Sequence, residues 1–187
     1  MDNAEFIRVK LYEAGFTEAG EINISDLVFD RTIRKICEDN KCHGYGRSWA
    51  CPPAVGTLDE CRERCERFDR MFLINKKFDL KDRFDFKGMG QAMRDFKKYE
   101  DIFDDLMEGT GINYLLLGNE GCGRCEECTW PDAPCRFPKR LHHSLEGYGF
   151  DIGRMAKLSG IHYNSGPNTV TFLGAVLFDE TTETYTQ

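Results

Sequence analysis

Apolar residues recur at helical spacing in five separate stretches of this chain. From Ala4 to Ala14, the residues Phe6, Ile7, Leu11 and Ala14 share a face, and Gly15 is placed to end the helix. A second helix is expected over Asp30 to Glu38, where Ile33, Ile36 and Cys37 line up. Thr57-Leu58-Asp59-Glu60 has the form of a capping box, in which hydroxyl and carboxylate satisfy each other's free backbone amides, so a third helix opens there and runs to about Phe68. Gln91 to Glu108 carries the longest stripe, Ala92, Phe96, Tyr99, Phe103 and Leu106, with Gly109 just beyond. A short helix over Ile152 to Leu158 stops at Gly160. Three short apolar runs, Met71–Asn75, Tyr114–Leu117 and Val170–Phe178, suit buried strands.

Strands alternating with helices predict an α/β fold, a single domain over residues 1–180 with a mixed sheet, flanking helices and two cysteine-rich metal-binding loops. Thr181 to Gln187 has the composition of a flexible tail.

Charge narrows the partners. With 25 Lys and Arg against 32 Asp and Glu, a formal charge of -7 repels polyanions, and no basic run interleaved with aromatics offsets it, so nucleic acid is not expected. The opening MDNAEFIRVKLYEAG lacks the apolar run of a secretion signal, and no stretch is long enough to cross a bilayer, so a cytoplasmic protein is expected. Nine cysteines in a reducing compartment point to metal or redox chemistry over a disulfide framework.

Four of the nine lie in Gly121-Cys122-Gly123-Arg124-Cys125-Glu126-Glu127-Cys128, then Thr129-Trp130-Pro131-Asp132-Ala133-Pro134 and Cys135. Three cysteines at successive intervals of three can wrap one face of an iron-sulfur cubane, each thiolate reaching a different iron, and Cys135 supplies a fourth ligand. Gly121 and Gly123 ease the tight curl and let backbone amides approach the cluster. Zinc also takes four thiolates, but its sites are usually two separated pairs. The expected cofactor is a 4Fe-4S cluster, with zinc as the alternative.

The upstream group, Cys37, Cys42 and Cys51 in KICEDNKCHGYGRSWACPP, is one ligand short of a closed site, and Pro52 and Pro53 fix the chain after the third cysteine. A second cluster there could be completed by Cys61, Cys65, His43, or an exchangeable water or substrate. Cys61 and Cys65 also form an apolar helical stripe with Leu58 and Phe68, the position of packed core residues. His43, His142, His143 and His162 show no ligand spacing with one another, and hydrogen-bonding roles are expected of them. Tyr45, Arg47 and Trp49 could shield a cluster or anchor the loop, and Arg47, Arg124 and Arg136 would place positive charge beside thiolates.

CHGYGRSWACPP and CGRCEECTWPDAPCRFP, followed by Ser144-Leu145-Glu146 and Gly149-Phe150-Asp151-Ile152, resemble the uncharacterised prokaryotic predicted metal-binding proteins, a domain of unknown function. The likeness runs from about Cys37 to Phe178. It implies metal or cluster binding, in anaerobic metabolism, through Cys37, Cys42, Cys51, Cys122, Cys125, Cys128 and Cys135; Cys61 and Cys65 are not part of its pattern.

Three functions compete on these residues. The first is electron transfer, or a redox accessory role toward a partner protein. The second is a metalloenzyme whose open cluster iron binds substrate, and the third is a zinc-bound interaction module. No glycine-rich nucleotide loop, nucleophile elbow or histidine pair on one helix is present to favour another chemistry.

Overall fold

The protein is described from a computed structural model covering residues 2–181. The three expected strands are there, and with two more they form one five-stranded mixed sheet in the order β1-β2-β5-β3-β4. The strands are β1 (Glu18–Asn23), β2 (Arg70–Asp79), β3 (Tyr114–Gly118), β4 (His143–Ser144) and β5 (Thr169–Phe178). Three pairings are antiparallel, and β3 with β4 is parallel.

The sheet alternates its side chains between two cores. On β2, Met71 and Leu73 face one core while Phe72 and Ile74 face the other; β5 divides Ala175 and Leu177 from Val176 and Phe178 in the same way. Helices α1 (Asn3–Ala14) and α4 (Phe86–Met107) cover one face through Ile7, Leu11, Phe96 and Phe103. The other face is closed by α3 (Leu58–Cys65) and α5 (Ile152–Ser159), with Tyr148 and Phe150. The fifth helix, α2 (Arg31–Glu38), ends beside this second layer. Among the described residues, no helix is long and apolar enough to cross a membrane.

Local chemistry explains most element ends. The α1 helix closes on Gly15 at φ 103, whose amide reaches the carbonyls of Leu11 and Tyr12. The Thr57–Glu60 capping box forms in full at the start of α3, which ends at Cys65 instead of continuing to Phe68. The long helix α4 begins at Phe86, five residues before the expected start at Gln91. Asp85 caps it by accepting from the Gly88 amide at 2.8 Å, so Gly88 and Gly90 lie inside a helix whose pattern starts only at Ala92.

Strand β1 has no counterpart among the sequence expectations. EAGEIN holds one β-branched residue and a central glycine, and what makes it a strand is its partner, β2, over the whole span from Glu18 opposite Asn75 to Asn23 opposite Arg70. Gly20 is required there, because a Cβ would stand 2.3 Å from the Ser159 carbonyl oxygen at the end of α5. The expected tail at 181–187 lies, beyond Thr181, outside the described residues.

Candidate metal centre

Parallel strands cannot be joined by a tight turn, and the long connection that β3 and β4 therefore need is the segment holding Cys122, Cys125, Cys128 and Cys135. It is laid along a polar stripe of α4. Arg124 makes a bidentate pair with Asp101, at 2.7 and 2.5 Å, and donates to the Arg140 carbonyl; Arg140 in turn binds Asp104 and Asp105. Lys97 donates to the Asn119 carbonyl at 2.6 Å. His142 bridges Glu100 and Asp104, and these two carboxylates raise its pKa against the opposing effect of burial. Within the loop, Thr129 donates to the Pro134 carbonyl, Arg136 to that of Glu127, and the Phe137 amide approaches the Cys135 sulfur at 3.4 Å. All four thiols, with Arg124 and Arg136, line a cavity of about 40 Å³.

The upstream cysteines come from two kinds of structure. Cys37 stands in the last turn of α2, and Cys42 and Cys51 lie in the turns that lead to α3. Arg34 holds α2 in place by donating to the carbonyls of Gly147 at 2.5 Å and Gly56 at 2.6 Å. The loop docks on β4 where the Ser144 amide donates to the Ala50 carbonyl at 2.9 Å. A Cβ built on Gly44 would lie 3.5 Å from both the Cys42 and Cys51 sulfurs, so the two sulfurs are within twice that distance of each other. Cys37, Cys42 and Cys51 all line one cleft of about 720 Å³, walled also by Ile36, Phe150 and Tyr163. Burial pushes the Cys37 thiol up to about 11, with the charges of Glu146, Cys42 and Cys51 adding to the rise, and burial also raises Cys51 and Cys122.

The two loops are fastened together. Trp49 and Trp130 meet edge to face at 4.6 Å, and the Trp49 indole donates to the Ala133 carbonyl at 3.2 Å. Ser48 and Trp49 of the upstream loop form part of the wall of the downstream cavity. Gly121 runs so close to the upstream site that a Cβ there would be 3.7 Å from the Cys51 sulfur.

Cys61 and Cys65 stand apart from both cavities. Each is fully buried in the core beside Val55 and Tyr148, and the Cys61 thiol faces the Val55 carbonyl at 3.6 Å. Burial raises both thiols, Cys65 to about 12. His43 is exposed at φ 59, and neither it nor Arg47 lines the cleft, whereas Tyr45 does. His143 and His162 are hydrogen-bonded to Tyr148 and Glu18.

A family model matches residues 20–178, most of the chain. The chain belongs to this family, described as Predicted metal-binding protein (DUF2284). No curated protein and no solved structure matched. Family membership makes this a predicted metal-binding protein of unspecified metal. Among the described residues, no three Cys, His, Asp or Glu side chains close around one point as the shell of a single ion requires. The donors present are soft thiols, the set that suits iron-sulfur clusters, whose ligands attach to separate irons and so stand farther apart than those around one ion. The upstream cleft has room for such a group. The downstream thiols share a much smaller cavity.

Sequence reasoning missed three contributors. Ser144 and Glu146 line the upstream cleft with Cys37, Cys42 and Cys51, and the stripe Lys97, Glu100, Asp101, Asp104 and Asp105 carries the downstream loop. The stripe's spacing along α4 was the available signal, since it repeats at three and four residues along the flank of the apolar face, with Glu100 itself buried there.

Proposed function

We propose that this metal-binding protein holds two 4Fe-4S clusters, one on Cys122, Cys125, Cys128 and Cys135 and one on Cys37, Cys42 and Cys51, and serves in electron transfer or as a redox accessory to a partner protein. The observation that carries the reading is that seven thiols wall two adjoining cavities, with Gly121 of one loop against Cys51 of the other. When bound, such clusters accept and release single electrons. The chain's part is to hold the two sites side by side. The Trp49–Trp130 contact and the Arg124–Asp101 pair fix the loops relative to each other and to α4. Arg124 and Arg136, lining the downstream cavity, place positive charge where thiolates gather, which favours the deprotonated ligands. A cytoplasmic place in anaerobic metabolism belongs to the same proposal.

A second reading, a metalloenzyme, draws on the upstream cleft, whose volume of about 720 Å³ lies within the range of small-molecule sites. Protein purified without oxygen is expected to be brown, with iron and acid-labile sulfide in near-equal amounts and about eight irons per chain. Stoichiometric zinc without sulfide, under iron-replete conditions, would overturn the cluster reading and leave the zinc-bound interaction module.

A further inference from the structure

The connection from β3 to β4, which carries Cys122, Cys125, Cys128 and Cys135, is tied at both ends to one buried carboxylate. At its start, Lys97 donates to the Asn119 carbonyl at 2.6 Å and lies 3.5 Å from Glu100 Oε2; at its end, His142 Nδ1 is 3.1 Å from the same oxygen. The other ring nitrogen, Nε2, is 2.9 Å from Asp104 Oδ2. We infer that Glu100, His142 and Asp104 form a buried proton-binding site that clamps the downstream cysteine loop while it holds its proton and lets the loop loosen as pH rises. The inference goes beyond the two-cluster reading and needs no particular metal in the loop.

Donor count decides the charge of the trio. A neutral imidazole has one N–H and one lone pair, and an ionised carboxylate only accepts. With a carboxylate oxygen at each ring nitrogen, both contacts are hydrogen bonds only when the trio holds one proton more than a neutral histidine and two carboxylates would. The surroundings place that proton on the ring. Each carboxylate has a further cation, Lys97 at Glu100 and Arg140 Nη1 at 3.4 Å from Asp104, and Asp104 Oδ1 accepts from the Tyr114 hydroxyl at 2.9 Å, so both stay ionised. Glu100 is fully buried, and its Oε1 has no hydrogen-bond partner among the described residues. It is pressed against the end of β3, where a Cβ on Gly118 would stand 2.6 Å from that oxygen. The neighbouring Asp101 and Asp105 are taken by Arg124 and Arg140, and His143, the next residue along, bonds Tyr148.

Loss of the proton sets the lone pair of one ring nitrogen against a carboxylate in a nearly dry space. The clamp then forfeits a charge-assisted hydrogen bond, and a buried anion is left less well compensated. Burial lowers the pKa of His142, but the hydrogen bonds and charges of Asp104 and Glu100 outweigh it and raise the value above 6.5. The clamp is therefore complete below pH 6.5 and weakens as pH rises through the raised value. The loosening reaches the cysteines directly. Leu141, just before His142, lines the downstream cavity, and the Arg140 carbonyl accepts from Arg124 Nε at 2.8 Å.

Hydrogen exchange of the full-length, metal-loaded chain tests this, read by mass spectrometry over residues 119–145 and corrected for the intrinsic pH dependence of exchange. Wild type, His142→Gln and Asp104→Asn are compared at about pH 6 and about pH 9. In wild type the segment is expected to exchange about tenfold faster at the higher pH, while the β2–β5 ladder is unchanged. His142→Gln cannot gain the charge and should expose the segment equally at both values. The amide of Asp104→Asn can donate to a ring lone pair, so a neutral histidine satisfies both partners, and this variant should keep the segment protected at the higher pH. A flat profile in wild type, the wild-type step persisting in His142→Gln, or loss of protection at the higher pH in Asp104→Asn would each overturn the proton site. None of these outcomes depends on whether the loop holds iron or zinc, so such a failure leaves the two-cluster reading standing.

Discussion

The downstream and upstream cysteine sites make opposite use of sequence and space. Downstream, four cysteines within fourteen residues carry nearly all their information in their spacing, yet the loop folds to a cavity of about 40 Å³. Upstream, three cysteines spread over fifteen residues look incomplete, yet they open onto a cleft of about 720 Å³ that is lined also by Glu146, more than ninety residues farther along the chain. Local spacing is informative where one flexible loop wraps a group. It fails where a helix end, a turn and a distant 3-10 turn are brought together by the sheet.

The largest expected effect divides the two sites outright. Cys51→Ser should halve iron and sulfide while the downstream cluster keeps its spectrum, and Cys125→Ser should remove the other half. Loss of all iron in either variant would mean that the adjoining sites form a single centre, erasing the distinction.

The arginines that anchor each site should separate them more gently. Arg34→Ala strips donors from the Gly147 and Gly56 carbonyls and should cost about 2 to 3 kcal/mol, with faster loss of upstream iron. Arg124→Ala removes the pair with Asp101 and should speed only the downstream loss. Chelator kinetics on both variants check this, and equal effects on the two clusters would show that the Trp49–Trp130 contact couples the loops rigidly.

Acid should act on the layer behind the upstream site. Burial, with the charges of Arg64 and His142, depresses the His143 pKa to about 4, below its ordinary value of 6.5. The unfolded chain therefore binds a proton first as pH falls, and the stability present above pH 6.5 is lost progressively toward pH 4. At about pH 5 the loss from this one group should be about 2 kcal/mol relative to neutral pH. Urea midpoints of wild type and His143→Gln at the two pH values measure it; parallel pH dependence in both proteins would rule His143 out.

Two smaller substitutions should leave both sites loaded. Cys65→Ala opens a small cavity in the core and should cost about 1 to 2 kcal/mol without loss of iron. Thr57→Ala removes the hydroxyl of the α3 capping box and should cost about 1 kcal/mol, again with iron intact. Thermal unfolding paired with iron analysis reads both, and iron loss from Cys65→Ala would return that thiol to the candidate ligands.

Hydrophobic period and capping chemistry are local properties, and from them the sequence by itself determined the five helices, the three strands of the sheet's centre and the α/β class. The cysteine spacing likewise marked which residues carry soft-metal chemistry. Strand β1 was not legible, because EAGEIN becomes a strand only through its ladder with β2 and the close approach of α5 to Gly20. The start of α4 was hidden by two glycines that Asp85 overrides. The apolar stripe of α3 already marked Cys61 and Cys65 as packed residues; tertiary structure alone decided that neither reaches the two cavities and that Glu146 lines the cleft of Cys37. Both depend on which residues the sheet brings within a few ångströms of each other, and separation along the chain carries no record of that distance.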